Sequence, residues 1–360
     1  MKKFSLLLTL ALVISLLAGC AGTPVVYYTE CDCPENVHQA PVQDTTTETP
    51  DNAPAEGAVL TGLSVMTNIA ESKNATADEA GEAKYDVTVV AVTVGEDGVI
   101  HSCAIDSIPA SVAFDATGAI TSDLTAEILT KNELGEAYGM KAYGGAKYEW
   151  NEQAAALAEY AVGKTVQELR EGAVSESGKA VDVDLASVAT IYLGGYVDAI
   201  EAAVSNAQHV GSQAGDELRL ATISSVGSSA AATAENAGTA QLDVDVAVLT
   251  MNGETITGCI IDALQAKVTF DTTGAITSDL SAPVQTKNEL GEGYGMKAYG
   301  GAKYEWNEQA AAFAQYATGK TAADIAGIAV SEGKATDTDL ASTVTIAIGG
   351  FQAIIEKAAQ

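Results

Sequence analysis

Alternating apolar and polar residues predict a β-hairpin in the first half of the chain. The alternation runs from Tyr85 to Val94 as YDVTVVAVTV, the turn GEDG follows, and VIHSCAID continues the pattern. A period of two residues is that of a half-buried strand, and Asp-Gly is typical of a tight turn between strands. The pattern returns later as QLDVDVAVLT, MNGE and TITGCIIDA. The chain therefore contains two predicted hairpins of one kind.

A third apolar run follows each hairpin and ends at a predicted turn. Ala110 to Phe114 precedes Asp115-Ala116-Thr117-Gly118, and Val268 to Phe270 precedes Asp271-Thr272-Thr273-Gly274. Asp, Thr and Gly at these spacings favour a turn because Asp bonds the following backbone and Gly adopts left-handed torsion angles. We therefore expect the sheet to come first in each half and the helices afterwards.

Helical periodicity dominates the second part of each half. Trp150, Ala154, Leu157 and Ala161 fall on one face of a predicted alanine-rich helix that Gly163 closes. Thr165 with Glu168, and Thr321 with Asp324, are spaced as capping pairs of a short second helix. The last apolar runs, VDLASVATIYLGGYVDAIEAAV and TDLASTVTIAIGGFQAIIEKAA, are predicted as a helix or as a strand passing into a helix.

One stretch is repeated almost without change. It runs from Thr130 to Ala156 as TKNELGEAYGMKAYGGAKYEWNEQAAA and returns from Thr286 to Ala312 with Gly293 in place of Ala137. A repeat of this length indicates a duplicated domain. We expect an α+β fold of two tandem repeats, 58–207 and 208–360, each a small antiparallel sheet packed with helices. The segments NELGEAYGM and KAYGG are predicted as a loop because of their glycines.

The first twenty residues resemble a bacterial lipoprotein signal peptide. Lys2 and Lys3 precede an apolar segment from Leu6 to Leu17, and Leu17-Ala18-Gly19-Cys20 follows. The resemblance implies lipidation of Cys20 and anchoring at the extracytoplasmic face of a cell membrane, where several acyl chains make attachment stable. The alternative is a simple secretory leader with an unrelated cysteine.

Residues 21–57 are predicted to be a disordered tether. This segment is rich in Pro, Thr, Asp and Glu and lacks periodicity, so it cannot bury enough apolar surface to offset its ordering entropy. Cys31 and Cys33 lie within it, and two thiols alone make a poor metal site. A local disulfide or thiols without a function are the alternatives. Cys103 and Cys259 occupy matching positions on apolar strands and are assigned to packing.

Charge and histidine content exclude several classes of function. The chain has 48 acidic and 18 basic residues, a formal net charge of -30, which disfavours nucleic acid as a partner. His38, His101 and His209 are its only histidines, and none recurs in the other repeat, so a duplicated histidine triad or metal site is excluded. Asp182 and Asp184 are interpreted as a helix cap. We predict no catalytic residue and no metal site, and favour an electron-transfer or binding protein over a turnover enzyme.

Together these features resemble the FMN-binding domain. The features are the hairpin with Asp-Gly at its turn, the central lysine-bearing segment with Tyr and Met, and a terminal Asp, spacer, Ser-x-Ala-Thr element before an alanine-rich helix. The family includes flavin subunits of sodium-pumping NADH:quinone reductase and of Rnf complexes, and flavinylated lipoproteins of extracellular electron transfer. The resemblance implies FMN as cofactor, covalently held, with a flavin transferase and a membrane NADH dehydrogenase as partners.

In that family a Thr or Ser hydroxyl is esterified to the FMN phosphate within a Ser/Thr-Gly-Ala-Thr/Ser motif. The matching residues are Ser187 and Thr190 in repeat 1, and Ser342 and Thr345 in repeat 2. Val188 and Thr343 replace the motif's glycine, and repeat 2 also lacks its alanine. The hydroxyl is expected at the start of a helix, where backbone N–H groups favour a phosphate.

The repeated stretch is the predicted wall of the flavin pocket, because lysines suit a phosphate and aromatic faces suit a planar ring. The candidate residues are Lys131, Tyr138, Met140, Lys141 and Tyr143, with Lys287, Tyr294, Met296, Lys297 and Tyr299. The alternative is that Trp150 and the tyrosines only pack while the lysines balance nearby glutamates. In function, the alternative to FMN-dependent electron transfer is a surface lipoprotein that binds another ligand or a wall component.

Overall fold

The computed structural model describes residues 57–360. The predicted signal peptide with Cys20, and the predicted tether with Cys31 and Cys33, lie outside the described residues except for Gly57. Both predicted repeats fall within them and belong to one compact unit.

Repeat 1 begins with a three-stranded antiparallel sheet in the order β1-β2-β3. The strands are β1 (Leu60–Asn68), β2 (Gly81–Val94) and β3 (Ile100–Phe114). β2 and β3 form the predicted hairpin, with Tyr85 opposite Ala110. Repeat 2 has an equivalent sheet made of β4 (Glu217–Ser225), β5 (Gly238–Asn252) and β6 (Thr255–Phe270). The predicted α+β fold, with a small antiparallel sheet and helices in each repeat, is confirmed.

Six helices follow the sheet of repeat 1. They are α1 (Lys131–Leu134), α2 (Met140–Gly144), α3 (Trp150–Ala161), α4 (Val166–Ala173), α5 (Val183–Val188) and α6 (Gly194–Ser205). The helices of repeat 2 are α7 (Lys287–Leu290), α8 (Met296–Gly300), α9 (Trp306–Ala317), α10 (Ala322–Ala326), α11 (Thr338–Thr343) and α12 (Gly349–Ala358). A two-stranded ribbon, β7 (Val330–Ser331) with β8 (Lys334–Ala335), precedes α11.

The predicted caps are confirmed. Thr165 accepts a hydrogen bond from the backbone of Glu168 and opens α4, and Thr321 with Asp324 does the same for α10. Asp182 caps α5 by accepting from the backbone N–H groups of Asp184 and Leu185. Such caps satisfy N–H groups that have no partner within the helix.

Three local predictions differ from the structure. The apolar run from Ala110 to Phe114 is the end of β3. The segment predicted as a loop forms α1, a 3-10 turn at Gly135–Tyr138, and α2. The terminal apolar run of repeat 1 forms two separate helices, α5 and α6, and that of repeat 2 forms α11 and α12.

Each sheet buries both faces. One face of β2 packs through Val90 and Val92 against α3 and α6, and Trp150, Ala154, Leu157 and Ala161 are buried there as predicted. The other face, which includes Tyr85, packs against the sheet of repeat 2 in a single core shared by both repeats. Burial on both faces explains why the alternation of β2 becomes a continuous apolar run near its end.

The contacts between the repeats are reciprocal. Ala75 donates its backbone N–H to the carbonyl of Gly274 at 2.8 Å, and Ala232 donates to that of Gly118 at 2.8 Å. Gly118 and Gly274 have φ values of 72° and 70°. The same surface is thus used on both halves, as in a twofold-symmetric dimer.

No helix within residues 57–360 has the length and apolar character needed to cross a membrane.

Candidate functional site

Hydrogen bonds from the first residues of the repeated stretch attach it to the sheet. Thr130 caps α1 in a capping box with Glu133, and Asn132 donates its side-chain N–H to the Ile105 carbonyl at 2.9 Å. The backbone N–H of Asn132 donates to Asp106 Oδ1 at 3.2 Å. Burial is the main cause that raises the pKa of the Asp106 carboxyl. Repeat 2 repeats these contacts.

Lys131 and Lys287 lie under aromatic rings and are not presented to solvent as free cations. The Lys131 ammonium is 5.3 Å from the Tyr138 ring centroid and 5.2 Å from that of Trp150. The Lys287 ammonium is 5.1 Å and 4.9 Å from the corresponding rings of repeat 2. Burial lowers the pKa of Lys131. Cation–π contact therefore accounts for the lysine and the two aromatic residues together.

A buried carboxylate occupies the start of α2. Glu149 is 1% exposed and accepts from the backbone N–H groups of Met140 at 2.8 Å and Lys141 at 3.0 Å. The Lys141 ammonium is 3.5 Å from Glu136 and 3.3 Å from Glu152. Glu305 and Lys297 repeat this arrangement in repeat 2. Because a helix N-terminus favours one anion, this position is already satisfied by the protein's own carboxylate.

Thr190 lies against the repeated stretch, held by Gln153. The fully buried Gln153 accepts through Oε1 from the Thr190 backbone N–H at 2.7 Å, the Thr190 hydroxyl at 3.2 Å and the Ile191 N–H at 3.1 Å. Its Nε2 donates to the Tyr148 carbonyl at 3.0 Å and lies 3.9 Å from Met140 Sδ. Thr190 itself is exposed. The structure therefore brings the predicted attachment residue to the predicted pocket wall.

Repeat 2 has the same connection. Gln309 Oε1 accepts from the Thr345 N–H at 2.8 Å and from the Thr345 hydroxyl at 3.1 Å. Thr190 and Thr345 stand in the segments before α6 and α12, four residues ahead of the first helical residue in each case. The prediction that these threonine hydroxyls lie at the start of a helix is therefore wrong.

The serines and the outer tyrosines lie apart from this connection. Ser187 donates its hydroxyl to the Asp184 carbonyl at 2.7 Å, and Ser342 to that of Asp339 at 2.7 Å. Tyr143 and Tyr299 are each 92% exposed. Met296, like Met140, starts its short helix beside the buried glutamate. The structure thus gathers only part of the predicted residue set around the threonine.

A cleft of about 540 Å³ opens next to Thr190 in repeat 1. Ile191 and Tyr192, which directly follow Thr190, line it together with Trp150 and Tyr196. Trp150 Nε1 donates to the Tyr196 hydroxyl at 2.9 Å, and the two rings meet edge to face at 5.8 Å. The remaining lining residues are Met66, Thr67, Asn68, Glu71, Asp86, Thr88 and Gly195. The volume lies within the range of small-molecule sites.

The corresponding residues of repeat 2 are less polar and smaller. Ala347 stands where repeat 1 has Tyr192, and Phe351 where it has Tyr196. Phe351 still packs against Trp306 with 5.7 Å between ring centroids, but it has no hydroxyl to accept the indole N–H. The two repeats therefore differ at two aromatic positions of this region.

The sequence did not identify Gln153, Glu149, Tyr192 or Tyr196. Gln153 and Glu149 belong to the repeated stretch, so their exact recurrence was the available signal. Tyr192 and Tyr196 differ between the repeats and gave none. Within residues 57–360 no group of His, Cys, Asp and Glu side chains has the geometry of a metal site. Burial raises the pKa of both Cys103 and Cys259 to about 12.

No family model matches the chain, and neither a curated protein nor a solved structure shows significant similarity to it.

Proposed function

We propose that the chain is a lipid-anchored extracytoplasmic protein that carries FMN on Thr190 and takes part in electron transfer. The observation that supports this most is the position of the exposed Thr190 hydroxyl. Gln153 accepts a hydrogen bond from this hydroxyl, and the next two residues, Ile191 and Tyr192, line the aromatic cleft of about 540 Å³. The anchor in this proposal is Cys20, at the outer face of the cell membrane.

The residues beside Thr190 fit the two chemical parts of FMN. A planar ring suits the cleft because the aromatic residues Trp150, Tyr192 and Tyr196 are among those that line it. The phosphate belongs outside the cleft, away from the Glu71 and Asp86 carboxylates. The Lys179 ammonium, which donates to the Thr190 carbonyl at 2.8 Å, supplies a cation on that side.

The residues of the chain position and shield the cofactor. Three hydrogen bonds to one Gln153 oxygen hold the segment around Thr190 in a single geometry. The ester forms when the Thr190 oxygen gives up its proton to a base or to water and bonds to the phosphorus of an activated FMN donor, whose bond to its leaving group breaks. The hydroxyl donation to Gln153 is lost in this step, and the two backbone N–H donations to Gln153 remain. A separate flavin transferase therefore has to supply that donor. Bound flavin supplies the capacity to accept and release electrons, and the aromatic residues limit its contact with water.

Repeat 2 is the weaker candidate carrier. Thr345 has the same bond to Gln309, yet Ala347 and Phe351 replace the two tyrosines. Repeat 2 also departs further from the attachment motif, because Thr343 and Val344 replace both its glycine and its alanine. On that ground we assign flavin attachment to repeat 1 first.

Co-expression of the full chain with a flavin transferase tests the proposal. The expected result is a yellow protein whose flavin fluorescence stays with the chain after denaturing electrophoresis, with a mass increase of one FMN. Thr190→Val should remove the adduct, and Thr345→Val is the matched control that should retain it. A colourless protein with the mass of the bare chain would sink the proposal and favour a ligand-binding lipoprotein without flavin.

A further inference from the structure

An ion pair links the last helix of repeat 2 to repeat 1. The Lys357 ammonium lies 2.5 Å from Glu133 Oε1 and donates to the Thr222 carbonyl at 2.7 Å. Burial alone would raise the pKa of the Glu133 carboxyl, but Lys357 and the Thr130 N–H outweigh it and lower that pKa. Glu133 and the Thr222 carbonyl thus form a binding position for a primary ammonium group.

The reciprocal position in the other half has the carboxylate without the lysine. Glu289 is the equivalent of Glu133, Val65 of Thr222, and Ala202 of Lys357. A cavity of about 270 Å³ lies there. Its lining residues are Leu63, Val65, Asn206, Gln208, Ile260, Asp262, Thr286, Asn288 and Glu289. None of the salt bridges within residues 57–360 involves Asp262 or Glu289.

Asp262 lies at the inner side of this cavity. It is 6% exposed and accepts from the backbone N–H groups of Ala263 at 2.7 Å and Asn288 at 3.1 Å. Burial raises the pKa of its carboxyl to about 6. A carboxylate of this kind is stabilised when a cation approaches it.

The small cavity adjoins a larger groove of about 580 Å³, and Gln208, Ile260 and Asn288 line both. The groove lies between three elements, which are the segment 208–210 that connects the two repeats, strand β6 and helix α9. Its other lining residues are His209, Val210, Cys259, Ile261, Asn307, Ala311, Ala314, Gln315 and Thr318. Carboxamide side chains thus border an apolar surface, and no carboxylate lines the groove.

Hydrogen-bonding groups of the groove remain available. Asn307 Oδ1 is buried and has no hydrogen-bond partner in the described part of the chain. A buried polar atom left without a partner is energetically unfavourable. Gln208 and Gln315, which also line the groove, are exposed. Amide groups of a ligand would pair with the exposed Gln208 and Gln315 carboxamides, whereas Asn307 Oδ1, like the equivalent Asn151 Oδ1 of repeat 1, has almost no accessible surface.

Divergence between the repeats has changed this surface in particular. From Thr130 to Thr165 and from Thr286 to Thr321 the copies differ at four positions. They are Ala137/Gly293, Leu157/Phe313, Glu159/Gln315 and Val162/Thr318. Gln315 and Thr318 both line the groove, where they replace a charged and an apolar side chain by neutral hydrogen-bonding ones.

We propose that the two adjoining cavities bind a short peptide that has a free amino terminus and uncharged side chains. The terminal ammonium group takes the place beside Glu289 that the Lys357 ammonium takes beside Glu133. The peptide amides face Asn288, Asn307 and Gln315, and small apolar side chains lie on Ile260. A sugar ring fits less well because no aromatic residue lines the groove, and an anion is disfavoured by Asp262 and Glu289.

Calorimetric titration of the full chain in detergent with L-alanyl-L-alanine amide tests this site. N-acetyl-L-alanyl-L-alanine amide, which lacks the ammonium group, should bind at least about tenfold more weakly, because it cannot form the charge-assisted hydrogen bonds to the carboxylates. Butylamine, which lacks the amides, should also bind more weakly. Failure of the dipeptide amide to bind, or equal affinity for the acetylated form, would overturn the proposal. Equal affinity for butylamine would overturn the placement of the peptide in the groove.

Substitutions at Ala202 and Glu289 test where the ammonium group of the ligand binds. Ala202→Lys supplies an internal ammonium group and should abolish binding, whereas Ala202→Met, of similar length but uncharged, should leave most of it. Glu289 is exposed, so Glu289→Gln should fold normally and bind about tenfold more weakly or worse. Unchanged binding by both Ala202→Lys and Glu289→Gln would refute the assignment. The flavin proposal is independent of this outcome, because Thr190 belongs to neither cavity.

Discussion

The rings of Phe114 and Phe270 stack face to face at the junction of the two repeats, with 4.0 Å between centroids and 2° between planes. Both rings are fully buried. Each phenylalanine is the last residue of the third strand of its repeat, so the pair joins the ends of equivalent strands. The stack is part of the core that the two sheets share.

Removing one ring should weaken both repeats together. We expect Phe270→Ala to lower the free energy of unfolding by about 3–5 kcal/mol, since it leaves a cavity in a closely packed core. Each repeat has one tryptophan, so Trp306→Phe and Trp150→Phe backgrounds report on repeat 1 and repeat 2 separately. Denaturant unfolding followed by fluorescence should show the same shift in both backgrounds. Tyr299→Ala, at an exposed position, is the control and should shift neither. A shift confined to repeat 2 would contradict a shared core.

The turn glycines should tolerate no side chain. Gly118 has positive φ, and a Cβ atom on it would lie 2.8 Å from the Asp271 carbonyl oxygen. We expect Gly118→Ala to cost roughly 1–3 kcal/mol, because strained torsion and close contact add. Gly144→Ala is the matched control, since a Cβ atom there meets no atom within 4 Å. Thermal unfolding of both variants measures the difference, and equal stability would show that the turn can move aside.

Asp262 should give the stability of the protein a distinct pH dependence. Burial raises the pKa of its carboxyl in the folded state to about 6 from 3.8. The folded state then holds more protons than the unfolded state between these values. Its contribution to the free energy of unfolding therefore falls as pH rises from about 4 to about 6.

Asp262→Asn removes this titration while its side-chain oxygen can still accept from Ala263 and Asn288. Between pH 4 and pH 7 the variant should gain free energy of unfolding relative to the wild type, by on the order of 3 kcal/mol. Urea unfolding at both pH values gives this quantity. Parallel curves for the two proteins would show that Asp262 does not titrate with a raised pKa.

The aromatic residues beside Thr190 should affect the environment of the flavin and leave its attachment intact. In Tyr192→Ala/Tyr196→Phe, repeat 1 carries the residues of repeat 2. On the proposed function, we expect the flavin adduct mass to persist and the flavin fluorescence to rise, because fewer aromatic faces contact the ring. Tyr143→Ala, remote from the cleft lining, serves as the comparison. Identical fluorescence in all three proteins would mean that the ring lies outside the cleft.

Local chemistry allowed the hairpins and the caps to be predicted. The alternation from Tyr85 to Val94 and the Thr165–Glu168 spacing depend on neighbours in sequence, and both form as expected. β1 was not predicted from the sequence because Gly62 interrupts its alternation of apolar and polar residues. A Cβ atom at Gly62 would lie 1.9 Å from the Ala203 carbonyl oxygen, so this glycine serves a close approach to α6 and not a turn.

Tertiary contacts explain what the sequence could not predict. Gly135, Gly139 and Gly145 suggested a loop, yet each ends a single helical turn with positive φ. The bond from Thr190 to Gln153 joins residues that are 37 positions apart, and no periodicity encodes it. Likewise, the alternation from Tyr85 to Val94 predicted a half-buried strand, and burial of the second face against the other repeat could not be predicted from it.

The joining of both halves in one polypeptide has a consequence for how their surfaces can change. In a homodimer of single repeats, every substitution would appear on both sides of the interface. Here a mutation reaches one side only, which allows Lys357 to close one position while its counterpart, Ala202, leaves the other open. Covalent fusion thus permits specialisation of one half while the other preserves the original architecture.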